Sequence, residues 1–152
     1  APIGLTRAAL PAMLQRRKGR LVVISSMAGL IPSPGQALYS GAKSGLNGYF
    51  QALATEVCDR GVAVTIVCPG PIATGSADKP RNVMGASGMV TTQTDTSAAS
   101  KRLHPKFTAA WIVAAAHHGV REARIARQPI LLLSYVQQYL PGVAARVLHR
   151  VG

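Results

Sequence analysis

A chain of 152 residues with 48% hydrophobic residues, 15 Gly and 10 Pro is long enough to bury one core and too apolar for a disordered segment. Seventeen Lys+Arg against five Asp+Glu give a net charge of +12. Only Arg16, Arg17, Lys18 and Arg20 cluster, with no aromatic residues between them, so a nucleic-acid partner is not expected. The surplus reads instead as a solvated surface with some attraction for nucleotide phosphates.

The elements follow in chain order. Ile3, Leu5, Ala9, Met13 and Leu14 form an apolar helical face that Pro11 should disturb and Gly19 should end. The chain opens directly into this helix and without Met, so an upstream portion of the protein is expected. No signal-peptide pattern is present. "LVVIS" (21–25) is rich in β-branched residues and predicts a strand covered on both faces. "MAGLIPSPGQ" is punctuated by Gly and Pro and reads as a loop.

From about 38 to 58, Ala42, Leu46, Tyr49, Phe50, Leu53 and Val57 recur at helical spacing and predict a long amphipathic helix. "VAVTIVC" (62–68) predicts a second buried strand, in which Cys68 packs as a small hydrophobe. Cys58 and Cys68 are too few for a disulfide framework, and neither they nor the four histidines make a metal-ligand pattern. Residues 76–102 are polar, small and weakly periodic, which predicts a mobile substrate lid without regular structure.

Residues 106–118 return to an alanine-rich helix with Trp111 on its apolar side, "EARIA" predicts a short strand, and 129–140 a further helix. "PILLLSYVQQYL" is about half the length that spans a bilayer. "RQPILLLSYVQQYLPGVAARVLHR", with Arg146 and Arg150 four apart, reads as an amphipathic element that lies on a membrane surface or packs on the rest of the protein. The alternation of helices and strands predicts an α/β, doubly wound parallel sheet with crossover helices.

One constellation stands out against this frame. Tyr39 and Lys43, in "YSGAK", lie four apart and share a helix face; Ser26, thirteen residues earlier, ends the first strand. A lysine ammonium beside a phenol favours the phenolate and can make a base of a poor acid. "PGPIAT" follows the next strand. In an open parallel sheet, ligands bind beyond the carboxyl ends of the strands, and Ser26 and Pro69 both fall there. Ser25, one residue out of register, is expected to be structural.

"GRLVVISSMAG", "YSGAKSGLNGY" and "VAVTIVCPGPIAT" resemble three successive motifs of the short-chain dehydrogenase/reductase family. "ARQPILLLSYVQQYLPG" further resembles the dehydrogenase/reductase member 7 group. The resemblance implies the C-terminal part of a Rossmann-type domain, about the last three strands of its sheet. It implies a carbonyl–alcohol oxidoreductase with Tyr39 as general acid/base and Ser26 bonding the substrate oxygen. Lys43 would contact the nicotinamide ribose and lower the Tyr39 pKa. Pro69, Gly70, Ile72 and Thr74 would line the nicotinamide.

Subgroup analogy favours NADP(H) over NAD(H), an apolar small-molecule substrate, and association with the endoplasmic reticulum membrane, with a cytoplasmic location otherwise. A homodimer through the 39–57 helix is expected. The family's glycine-rich turn, its "NNAG" segment and its catalytic Asn do not occur in this sequence. The competing reading is an inactive remnant or basic binding module that keeps the fold without turnover. A hydrolase is disfavoured, since no G-x-S-x-G elbow occurs.

Overall fold

Alternating side chains on a β-branched strand need cover on two faces, and the chain supplies helices for both. The computed structural model describes residues 1–31, 35–74, 81–84, 90–93 and 102–151. Its elements run α1 (Pro2–Gln15), β1 (Gly19–Ile24), a 3-10 turn (Met27–Gly29), α2 (Ala37–Glu56) and β2 (Val62–Pro69). β3 (Arg81–Met84), β4 (Val90–Gln93), α3 (Pro105–His117), β5 (Glu122–Ile125), α4 (Ile130–Tyr139) and α5 (Pro141–Val151) complete them.

β1, β2 and β5 form one parallel sheet with β2 in the centre, Gly19 opposite Val62 and Ile66 opposite Glu122. This is the parallel α/β arrangement that the alternation predicts. Each parallel pair needs a crossover, which α2 provides for β1–β2.

One face of the sheet carries Val23, Val62, Val64, Ile66 and Cys68 against Phe50, Leu53 and Val57 of α2, with Leu10, Met13 and Leu14 of α1 beside them. Phe50 is 1% exposed, and burying a side chain of its size contributes about 1.5–3 kcal/mol. The other face carries a smaller cluster, in which Val67 and Ile125 meet Leu103, with Ile112 of α3 packed against them. Arg20 reaches across this face and donates to the Ala116 carbonyl near the end of α3, where a cation also meets the negative end of the helix dipole.

Several expectations need correction. α1 continues through Pro11, and it buries Thr6 while Ile3 and Leu5 stay exposed. Pro11 removes one backbone donor, but the helix keeps its continuity by packing Leu10, Met13 and Leu14 on the core. β1 is covered on one face only. Val22 and Ile24 remain 40% and 46% exposed, because α3 covers β2 and β5 but stops short of β1. Trp111 is 54% exposed and packs edge-on with Phe107 rather than joining the core.

Within the expected lid, β3 and β4 pair antiparallel, Arg81 opposite Gln93. The rest of that expectation, from 76 to 101, lies outside the described residues. No helix among the described residues is long and apolar enough to cross a membrane.

The return from α1 into β1 depends on one glycine. Gly61 has φ +75, and a Cβ there would lie 1.9 Å from the Arg17 carbonyl oxygen. Only glycine tolerates both the conformation and the approach.

Candidate active site

The strands end together, and the candidate residues lie at that end. β1 stops at Ile24 and its neighbour β2 at Pro69, so Ser26 and Gly70 both fall just past carboxyl ends. Ser25 ties the two strand ends together: its N–H donates to the Val67 carbonyl at 2.7 Å. Its side chain is buried, and its hydroxyl donates to the Lys43 carbonyl at 3.4 Å. The structural role expected of Ser25 is the one it plays.

Ser26 opens the 3-10 turn as its N-cap. Its Oγ accepts from the Ala28 N–H at 3.1 Å, which uses one lone pair and leaves the hydroxyl proton free to donate.

Tyr39 and Lys43 lie in the first two turns of α2, one turn apart on a single face. The Lys43 ammonium donates to the Ile24 carbonyl at 3.1 Å and sits 5.7 Å from the Tyr39 ring centroid. One ammonium therefore bridges the end of the strand that leads into Ser26 and the tyrosine ring. Tyr39 itself is 46% exposed.

The "PGPIAT" segment extends the same edge. Pro69 is buried; the Gly70 N–H donates to the Ile125 carbonyl at 2.8 Å and a Cβ on Gly70 would come within 3.1 Å of Ala126. Ile72 bridges Leu103, and the Thr74 N–H donates to the Ile72 carbonyl at 2.9 Å. Gly70, Ile72 and Thr74 form a ledge continuing from β2, with Thr74 exposed at its tip. The structure thus sets Lys43 beside the Tyr39 ring and against the end of the strand that leads into Ser26, with Pro69, Gly70, Ile72 and Thr74 along the neighbouring strand end.

Sequence reasoning missed the residues behind this edge. Asn47, one turn beyond Lys43, is buried; its amide donates to the Gly29 carbonyl at 3.3 Å, and the Ser44 hydroxyl donates to the same oxygen at 3.0 Å. The Cys68 thiol donates to Asn47 Oδ1 at 4.0 Å. Burial pushes that thiol from 9.0 up to about 11, and the nearby Glu122 carboxylate adds to the shift. The available signal was an asparagine in the Tyr39–Lys43 row of a helix otherwise lined by apolar residues.

A polar group also fills the β5 side. Arg124 pairs with Glu122 at 2.7 Å, donates to Ser134 and Gln138 of α4, and lies 4.7 Å from the Tyr135 ring centroid. Gln51 of α2 donates to Glu122 at 3.2 Å, so the group links α2, β5 and α4.

Comparison with known proteins supplies the context for this edge. The family model for short chain dehydrogenases matches residues 1–85, which contain every element from α1 through the ledge. The human dehydrogenase/reductase SDR family member 7 is 28% identical over 151 residues, covering 99% of this chain and 43% of that protein. The 3-oxoacyl-[acyl-carrier-protein] reductase FabG of Escherichia coli K12 is 44% identical over 70 residues, covering 46% of this chain and 29% of that protein. This chain therefore spans less than half the length of these curated relatives.

Among solved structures, a short-chain dehydrogenase from Streptomyces avermitilis superposes with a TM-score of 0.66 at 28% identity, over 97% of this chain and 56% of that one. One from Burkholderia cenocepacia, in complex with NADP, gives 0.73 at 16% identity, over 96% and 53%.

Proposed function

Because this chain belongs to the short-chain dehydrogenase family, we propose that it supplies the catalytic part of an NAD(P)-dependent oxidoreductase that interconverts a carbonyl and an alcohol. The observation that carries the reading is the placement of Lys43, whose ammonium lies between the Ile24 carbonyl and the Tyr39 ring, two residues from Ser26.

A bound nicotinamide supplies or accepts the hydride. Tyr39 gives a proton to the carbonyl oxygen in reduction and removes it from the alcohol in oxidation. A tyrosine left 46% exposed suits a proton that must reach a ligand. Lys43 holds its ammonium beside the Tyr39 ring and would contact the nicotinamide ribose. Ser26 donates its free hydroxyl proton to the substrate oxygen and stabilises the charge that develops there. Pro69, Gly70, Ile72 and Thr74, along the ledge, would hold the nicotinamide.

NADP(H) is the preferred cofactor. The NADP held by the Burkholderia relative and the basic surface of this chain, net +12, support that choice. The substrate is a small apolar carbonyl or alcohol.

Two further parts of the proposal concern partners. The protein is a homodimer through α2, where Gly41, Gly45 and Gly48 have nothing within 4 Å of a Cβ position and leave a shallow surface for close helix approach. It also lies against a membrane, at the endoplasmic reticulum by subgroup analogy. α4 turns Ser134 inward and leaves Leu132, Tyr135 and Tyr139 exposed, and no acidic residue follows Glu122.

The test of the catalytic reading is NADPH-dependent carbonyl reduction by the protein that carries this chain, wild type against Tyr39→Phe. Turnover that collapses in the variant supports it. A folded wild-type protein that binds cofactor but reduces none of a panel of ketones and aldehydes supports the inactive-remnant reading instead.

A further inference from the structure

We infer that Asn47 is a positioning residue that locks the turn bearing Ser26 onto the helix bearing Tyr39 and Lys43; the inference rests on the oxidoreductase reading. The turn Met27–Gly29 is held internally by two bonds, Gly29 N–H to the Ser26 carbonyl at 3.0 Å and Leu30 N–H to the Met27 carbonyl at 2.9 Å. Nothing internal fixes where it sits relative to α2. Packing of Met27 and Ile31 in the core with Phe50, and the Ser25–Lys43 bond, bring it near the helix. Within the turn itself the helix's side chains bond one atom, the Gly29 carbonyl oxygen, which accepts from both Asn47 at 3.3 Å and Ser44 at 3.0 Å.

The fit around this atom is close. A Cβ on Gly29 would lie 2.9 Å from Asn47 Nδ2 and 3.0 Å from the Lys43 backbone carbon and Cβ, so any larger residue would push the turn off the helix or displace the Asn47 amide. The far side of the Asn47 amide is held as well, since Oδ1 accepts from the Cys68 thiol in the centre of the sheet. Asn47 is 4% exposed and uses both ends of its amide.

A buried amide satisfied at both ends has one orientation, because a flipped one would set its oxygen against the Gly29 carbonyl. The lock runs from β2 through Asn47 to the turn, while Lys43 runs from the same helix to the end of β1. Ser26 thus inherits its place from both. Catalytic groups must hold within fractions of an ångström of productive geometry, and a slack turn would misplace the Ser26 hydroxyl while leaving the ring and the ammonium on their helix.

The experiment compares wild type with Asn47→Leu, which keeps the volume and removes both hydrogen bonds, in the protein that carries this chain. Amide exchange of Gly29, Leu30 and Ile31 is read against Phe50 and Leu53. The expected result is acceleration of the turn amides by about tenfold or more with the helix amides unmoved. In steady state, kcat falls by a similar factor with cofactor affinity unchanged. Ser44→Ala, at an exposed position and less disruptive of folding, shifts the turn amides in the same direction by less.

Turn amides unchanged in both variants overturn the inference. So does faster exchange with kcat unaltered, which makes Asn47 a packing residue. A wild-type protein without turnover overturns the oxidoreductase reading alone, and the exchange data still decide whether the lock exists.

Discussion

Tyr39, Lys43 and Ser26 differ in what each loses on substitution, and that separates their roles. Tyr39→Phe deletes the ionisable hydroxyl and keeps the ring beside Lys43, so the protein stays folded while kcat drops by about 10²–10⁴-fold. Lys43→Met removes the cation and the bond to Ile24 together and lowers both turnover and NADPH affinity. Ser26→Ala lowers kcat with NADPH affinity nearly unchanged; steady-state kinetics with calorimetric titration of NADPH checks all three. Cys68 gives a prediction about stability. Its thiol is raised from 9.0 to about 11 in the folded chain, so the folded state holds this proton more tightly than the unfolded one. That contribution is present in full below about pH 9 and is lost as pH rises through about 11. Urea midpoints at pH 8 and pH 10.5 should fall further in wild type than in Cys68→Val, and equal falls would rule this source out. The sequence singled out the three candidate residues because their spacing has a chemical reason: four residues on a helix, and a strand end thirteen residues before. Asn47 was not singled out, because its partners are a backbone carbonyl and a thiol brought together only by packing.

α2 and α4 show how far periodicity reaches at the scale of an element. The apolar row of α2 was legible, and Phe50, Leu53 and Val57 are buried as its period requires. What the period could not show is the opposite surface, where Gly41, Gly45 and Gly48 lie open. If two copies meet there, Gly45→Leu leaves the fold intact, having room for the side chain, and shifts analytical ultracentrifugation from dimer to monomer. A wild-type monomer at micromolar concentration would remove the proposed interface. α4, read from sequence as part of an amphipathic element, leaves Leu132 and Tyr139 59% and 71% exposed, because Ser134 turns inward to meet the Arg124 guanidinium. α5 continues the segment with Val143 and Val147 exposed beside Arg146. Co-sedimentation with phosphatidylserine vesicles should retain the wild-type protein at low salt and less of it at high salt. Leu132→Ser combined with Tyr139→Ser should release it, and equal retention of both proteins would place the contact elsewhere. Trp111 was misjudged for a related reason: α3 spends its inward face on Thr108, Ile112 and Ala115, which leaves the tryptophan outside.

For the whole molecule, the parallel direction of the strands was legible from alternation alone, since strands joined by helices pair in parallel; the order β1–β2–β5 came only with the structure. The one-sided cover of β1 was not legible either, because it depends on how far α3 reaches and no local pattern encodes that. The register of the sheet also fixes how much chain each strand pairing must close. Gly19 faces Val62 and Ile66 faces Glu122, so the first strand pairing closes about 43 residues and the second about 56. The difference in closure entropy is only about 0.2 kcal/mol, too small to choose between them. The choice falls to what each closure gains. Joining β1 to β2 brings Phe50, Leu53 and Val57 against Val23, Val64 and Ile66, whereas adding β5 gathers the smaller group around Val67, Leu103 and Ile125. The expected folding nucleus is therefore β1–α2–β2, with β5 docking after the barrier. Substitutions Val64→Ala and Phe50→Leu should slow folding, with φ-values of about 0.5 or above, while Ile125→Val should mainly speed unfolding, with a value near zero. Stopped-flow chevrons that give the reverse pattern would mean the chain begins from its C-terminal end. If the order holds, the strands and helix that bear Ser26, Tyr39 and Lys43 are the first part of the chain to take shape and the last to come apart.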